Sequence, residues 1–280
     1  MPGPSALACA ADPCLAHMQS FLRALLLGIG PFGHRGDFNR GICQLIEDAA
    51  HMSYRAVAFS GGEPLIYPGL MDALRRATAL GLKTGVTTNG NLLDPPRLEA
   101  LHDLVTVLAL SIDMSPDLHN EIRGSSSAFQ RLSDGIANLT SAGIRFGFIH
   151  TLTWQSWEHL AWLAEFAHTN GATLFDIHRL EIFGRAERTM REKMRDEDVL
   201  MRVYLLSVAS LAKYQGQMRI QVDLVHRGQV VHDPSQVYAT DVSDTARNAA
   251  ELLSTVVLEP DGSLVPVAYG FSRRFRICDI

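Results

Sequence analysis

Between Arg55 and Leu180 the chain alternates two hydrophobic periods, and no other feature limits its fold as strongly. Five apolar runs, "RAVAFS", "LKTGVTT", "VTVLALSID", "IRFGFIHTL" and "ATLFDIHRL", read as strands. Segments with helical spacing lie around them. "GLMDALRRATAL" puts Leu70, Leu74 and Ala77 on one face, and Phe129, Leu132, Ile136 and Leu139 recur at three, four and three residues. "GICQLIEDAAHM" precedes the first run, and "WEHLAWLAEFAHTN" separates the last two. Strand–helix–strand units need crossover connections and therefore build a parallel sheet. Strands that are apolar throughout belong in a sheet covered on both faces. The expected fold class is α/β, a partial (β/α)6-type parallel barrel.

After Gly184 the pattern loosens into a helix, "DEDVLMRVYLLSVASLAKY", a strand, "QMRIQVDLV", and a second helix, "DTARNAAELL". "STVVLEPDGSLVPVAYG" then holds two short strands around Asp-Gly, which marks a C-terminal β-hairpin extension. Three regions are expected: an irregular segment over 1–37, the α/β barrel core over 38–190, and barrel completion with a short hairpin over 191–280.

Composition narrows the function classes. The net charge of -5 and the absence of any basic run exclude nucleic acid as the main partner. No apolar stretch approaches the ~18 residues that cross a bilayer. The longest, "ALLLGIG", has seven residues, two of them glycine. "SALACA" lacks the basic and apolar lead of a signal peptide, so no membrane association and a cytoplasmic location are expected. Four cysteines, Cys9, Cys14, Cys43 and Cys278, are too unevenly placed for a disulfide framework. Cys43 sits among helically spaced apolar residues and reads as a packed thiol.

Parallel α/β folds place their sites at the carboxyl ends of the strands. Those ends supply Ser60, Gly61, Gly62 and Glu63, then Thr87, Thr88, Asn89 and Gly90. Ser111, Asp113, His119 and Arg123 follow, then His150 and Thr151, and finally His178, Arg179 and Glu181. Each alone has an ordinary structural reading, a turn or a surface pair. Their recurrence at one end of the sheet points to a site. His150 and His178, on the rim side of their strands, are candidate catalytic residues; a hydrogen-bonded structural histidine is the alternative for each.

The motifs "SGGEPL", "TTNG" and "SIDMSPDLHNEIRG", in this order, resemble those of the radical S-adenosylmethionine (SAM) enzymes. The resemblance implies that Gly61, Gly62, Glu63 and Pro64 meet the methionyl end of SAM, where a β-carbon would block the backbone. It implies a cofactor-facing place for Thr88 and Asn89, ribose contacts for Ser111 and Asp113, and a carboxylate contact for Arg123, whose planar fork suits that group. "GRA" at Gly184–Ala186 and "LEPDGSLVPVAYG" resemble features of the branch with a C-terminal SPASM or twitch domain. The implied activity is reductive cleavage of SAM to a 5'-deoxyadenosyl radical. That radical takes hydrogen from a small-molecule or peptide substrate or a cofactor precursor, with a flavodoxin or ferredoxin as electron donor.

The family also implies a [4Fe-4S] cluster on three cysteines of a Cys-x3-Cys-x2-Cys loop that follows an apolar strand. Here "ACAADPCLAHM" offers Cys9, Cys14 and His17, with different spacing and one imidazole. His17 lies 44 residues before Gly61, about where the third ligand belongs. Two readings stay open: a three-donor site on Cys9, Cys14 and His17 within a degenerate or truncated loop, or a cluster-less homologue that binds SAM or a peptide partner. At the hairpin, Val267 and Ala268 stand where a cysteine is expected, and only Cys278 follows, so no complete auxiliary cluster site is expected.

Overall fold

The computed structural model describes residues 24–29, 36–153, 155–180, 197–222, 255–266 and 272–280. In chain order the strands and α-helices are β1 (Ala24–Ile29), α1 (Gly36–His51), β2 (Ala56–Gly61), α2 (Leu70–Ala79), β3 (Lys83–Thr88), α3 (Pro95–Leu101), β4 (Val107–Ser111), α4 (Pro116–Arg123) and α5 (Ala128–Ala142). They continue with β5 (Phe146–Leu152), α6 (Leu160–Thr169), β6 (Leu174–Arg179), α7 (Glu197–Lys213), β7 (Arg219–Val222), β8 (Thr255–Leu258), β9 (Ser263–Pro266) and β10 (Cys278–Asp279). Local chemistry sets several of the boundaries. Asp94, for example, caps α3 by accepting from the Arg97 amide at 3.0 Å, ahead of the helix-starting pair Pro95 and Pro96.

The ten strands form one open sheet in the order β10-β9-β8-β1-β2-β3-β4-β5-β6-β7. Every pair from β8 to β7 in that order is parallel. β8–β9 and β9–β10 are antiparallel. The expected parallel α/β sheet and C-terminal hairpin are both present, and the sheet does not close. One strand was not foreseen. Ala24–Ile29, within the segment read as irregular, is β1 and pairs with both β2 and β8. Its six residues hold one glycine and little alternation, so only the tertiary pairing identifies it as a strand.

Register divides the sheet into two faces. Val57, Phe59, Val86, Leu108, Leu110, Phe148 and Phe175 share one face and are almost completely buried. Replacing one of the buried phenylalanines by alanine costs about 3–5 kcal/mol. The opposite face carries Ala58, Ser60, Gly85, Thr87, Ala109, Ser111, Gly147, Ile149, Asp176 and His178, smaller or more polar side chains, many of them half-exposed. Gly147 is required there: a β-carbon would lie 2.6 Å from the Leu174 carbonyl oxygen on the adjoining strand. This open face and the carboxyl ends of β2 to β6 frame the candidate site.

Candidate functional site

β2 ends in bare backbone. Gly61 adopts φ +110, a conformation L side chains rarely take, and Gly61 and Gly62 are both exposed. Glu63 then turns back into the structure. Its carboxylate accepts from the Leu65 amide at 3.0 Å, the Thr88 hydroxyl at 2.9 Å and the Asn89 amide at 2.8 Å. One side chain thereby ties the end of β2 to the end of β3, and caps the short 3-10 turn that Pro64 opens. Thr88 is 1% exposed and also accepts from the Gly90 amide, while the Asn89 side chain accepts from the Asn91 amide. The side-chain groups of Glu63, Thr88 and Asn89 therefore brace the rim. The hydroxyls on the open face beside Gly61 are those of Ser60, Thr87 and Ser111. Thr87 carries the signal that period-2 parity supplies, since it shares the face of Gly85 and Ala109.

Beyond β4, Asp113 organises three groups. Arg123 reaches it from the last turn of α4, Nε 2.7 Å from one carboxylate oxygen and Nη2 3.2 Å from the other. The buried His119 places Nδ1 3.1 Å from Asp113 Oδ2. Nδ1 also lies 3.3 Å from the Asp113 amide. In the second contact the Asp113 amide donates to Nδ1. Burial pushes the Asp113 pKa up, but the hydrogen bonds and charges of His119 and Arg123 outweigh it and hold the carboxyl below its ordinary range. The Arg123 side chain is one-third exposed.

The two histidines differ. His150 is 1% exposed and lies on the helix-covered face with Phe148, not on the rim. Its Nδ1 is 3.0 Å from the Ile112 carbonyl, which can only accept, so Nδ1 carries the proton. Nε2 then accepts from the Ser156 hydroxyl at 2.9 Å. Burial lowers its pKa, and with both nitrogens engaged His150 joins β5 to the end of β4. His178 lies on the open face, its side chain 40% exposed, with Nε2 3.2 Å from Asp176 Oδ2.

Cys9, Cys14, His17, Gly184–Ala186, Val267 and Ala268 lie outside the described residues. Their order relative to β1 is nonetheless set by the sequence. The three expected cluster donors precede β1, whereas the resembled loop follows an apolar strand. The segment between β1 and α1, residues 30–35, is Gly-Pro-Phe-Gly-His-Arg and holds no cysteine. Among the described residues no three His, Cys, Asp or Glu side chains gather as metal ligands, and no helix is long and apolar enough to cross a membrane.

Bare glycine backbone, three hydroxyls and a guanidinium at one sheet edge suit a ligand with an amino-acid end and sugar hydroxyls. The profile of the radical SAM superfamily matches residues 42–167. An AdoMet-dependent heme synthase of Methanosarcina barkeri is 32% identical over 146 residues, covering 51% of this chain and 42% of that protein. A PqqA peptide cyclase of Granulibacter bethesdensis is 26% identical over 143 residues, covering 50% and 38%. The chain spans about two-fifths of the length of these curated relatives. Among solved structures, Streptococcus suis SuiB bound to S-adenosylmethionine superimposes with a TM-score of 0.68 at 17% identity, over 90% of this chain and 62% of that one. anSMEcpe with bound AdoMet and a Kp18Cys peptide gives 0.62 at 14% identity, over 91% and 77%. These two likenesses establish the fold.

Proposed function

We propose that the chain is a radical SAM protein, in line with its matches to that superfamily, that binds SAM at the carboxyl ends of β2 to β4 and uses it to remove a hydrogen atom from a peptide or a cofactor precursor. The observation that carries this reading is the placement of Gly61–Gly62 and of the Asp113–Arg123 pair after the carboxyl ends of β2 and β4, parallel strands of one sheet. In it the exposed glycine backbone meets the methionyl amine, Ser111 and Asp113 lie toward the ribose, and Arg123 faces the carboxylate. Glu63, Thr88 and Asn89 act one step back, by fixing the strand ends on which those groups stand. If bound beside a reduced cluster, SAM would supply the one-electron chemistry for hydrogen abstraction, with Gly61, Gly62, Ser111, Asp113 and Arg123 as the residues that would hold it. The chain's own part is to hold the ligands in register and to exclude water. His178 faces the substrate side, and His150 positions β4 and β5. The substrate class follows the relatives, whose names specify a heme synthase and a peptide cyclase. A flavodoxin or ferredoxin would supply the electron, and a cytoplasmic setting would keep the thiols reduced.

The order of Cys9, Cys14 and His17 before β1 favours a second reading, a homologue that binds SAM without a cluster. Anaerobic reconstitution with iron and sulfide, followed by dithionite and SAM, separates the two. Methionine and 5'-deoxyadenosine in equal amounts, lost in Cys9→Ala/Cys14→Ala, support the enzyme. SAM bound but uncleaved, with no iron retained, supports the cluster-less homologue.

A further inference from the structure

α7 is apolar on two sides. It packs on α6 and β7 through a side that buries Val203 and Ser207. The other side carries Met201, Leu205, Val208 and Leu211, which are 51%, 59%, 45% and 43% exposed. A surface helix ordinarily turns charge outward, and a helix apolar all round is ordinarily buried. Residues 203–212, Val-Tyr-Leu-Leu-Ser-Val-Ala-Ser-Leu-Ala, hold no charge at all.

The exposed side has the spacing of a helix–helix seam. Asp198, Met201, Leu205, Val208 and Ala212 are all exposed and recur at three, four, three and four residues, the repeat that lets two helices interlock. Laid antiparallel about the midpoint between Leu205 and Val208, two copies of this seam fit one another. Each Leu205 meets the other copy's Val208, and each Met201, long and flexible, meets the small Ala212. Charge selects the same direction. At about 100° per residue, Asp198 and Lys213 fall on one flank of the stripe. Antiparallel packing brings Asp198 of each copy beside Lys213 of the other, whereas parallel packing would set like charges together. Lys213 also pairs with Glu165 of α6, yet its side chain is 62% exposed. Arg202 lies 5.0 Å from the centre of the Trp157 ring, turned onto its own chain.

We propose that the exposed side of α7 is a homodimer interface, in which two copies of the chain pack α7 on α7, antiparallel about a two-fold axis.

Sedimentation velocity of the full chain between about 1 and 100 μM is expected to show a monomer–dimer equilibrium. Leu205→Glu puts a carboxylate at the centre of the seam and is expected to weaken the dimer about 10-fold or more. The urea midpoint of the dilute monomer should not change in that variant. A second experiment reads direction with small substitutions. Met201→Cys and Ala212→Cys chains, mixed and oxidised, are expected to form a disulfide between positions 201 and 212 of different copies, mapped by mass spectrometry. A wild type that stays monomeric, a dimer indifferent to Leu205→Glu, or linkage of 201 to 201 and 212 to 212 would overturn the assignment. So would a lowered midpoint in dilute Leu205→Glu, the sign that the chain itself covers this side of α7.

Discussion

Arg123 closes on Asp113 as a two-pronged pair, Nε at 2.7 Å and Nη2 at 3.2 Å from the two carboxylate oxygens, with His119 behind at 3.1 Å. The guanidinium is thus aimed before any ligand arrives. Replacing Arg123 by lysine keeps the charge and loses the fork. SAM affinity is expected to fall about 10-fold or more in Arg123→Lys, in line with the roughly 1.5–3 kcal/mol of a charged hydrogen bond. Isothermal titration with SAM reads this directly.

The same pair sets an acid limit on stability. The folded Asp113 pKa lies below its ordinary value of 3.8. Its contribution is therefore complete above that value and is lost as pH falls through the lowered one. Urea unfolding between about pH 2 and 5 is expected to show a steeper loss for the wild type than for Asp113→Asn. Parallel curves would remove the pair from the stability account.

His150 has the opposite chemistry and the same direction. It is buried and its pKa lies below 6.5, so the unfolded chain binds the proton more readily than the folded one. Its contribution is present above 6.5 and declines as pH falls below that value. His150→Gln, which keeps a donor for Ile112 and an acceptor for Ser156, is expected to flatten the stability profile between about pH 5 and 7. SAM affinity should stay unchanged, since His150 sits on the helix-covered face.

Glu63 is the brace of the rim. Glu63→Ala leaves the Leu65 and Asn89 amides and the Thr88 hydroxyl without their acceptor. A loss of about 1–3 kcal/mol in unfolding free energy is expected, together with weaker SAM binding. Gly61→Ala acts at the next residue but one, where φ +110 disfavours a side chain by about 1–3 kcal/mol. Chemical denaturation of both variants measures the two costs.

The alternation from β2 to β6 was legible because apolar strands and amphipathic helices differ in period, and those elements appear within a few residues of the expected bounds. β1 was not, because six apolar residues carry no period and their neighbours β2 and β8 are distant in sequence. The rim was legible as a set of strand ends, but the direction of each side chain was not. Thr88 and His150 turn to the covered face, whereas Thr87 and Asp176, one position or one strand away, turn to the open one. That difference is one residue of register, which composition does not reveal. Glu63 looked like a ligand-facing acid; only the amides of Leu65 and Asn89, brought together by the fold, reveal it as a clamp.

The most direct measurement is equilibrium binding of SAM to the wild-type chain, to Arg123→Met and to His150→Gln. One saturable site, lost or weakened at least 10-fold in Arg123→Met and intact in His150→Gln, is the result expected of a cofactor held at the ends of β2 to β4. No binding to the wild type, or equal binding to Arg123→Met, would contradict it.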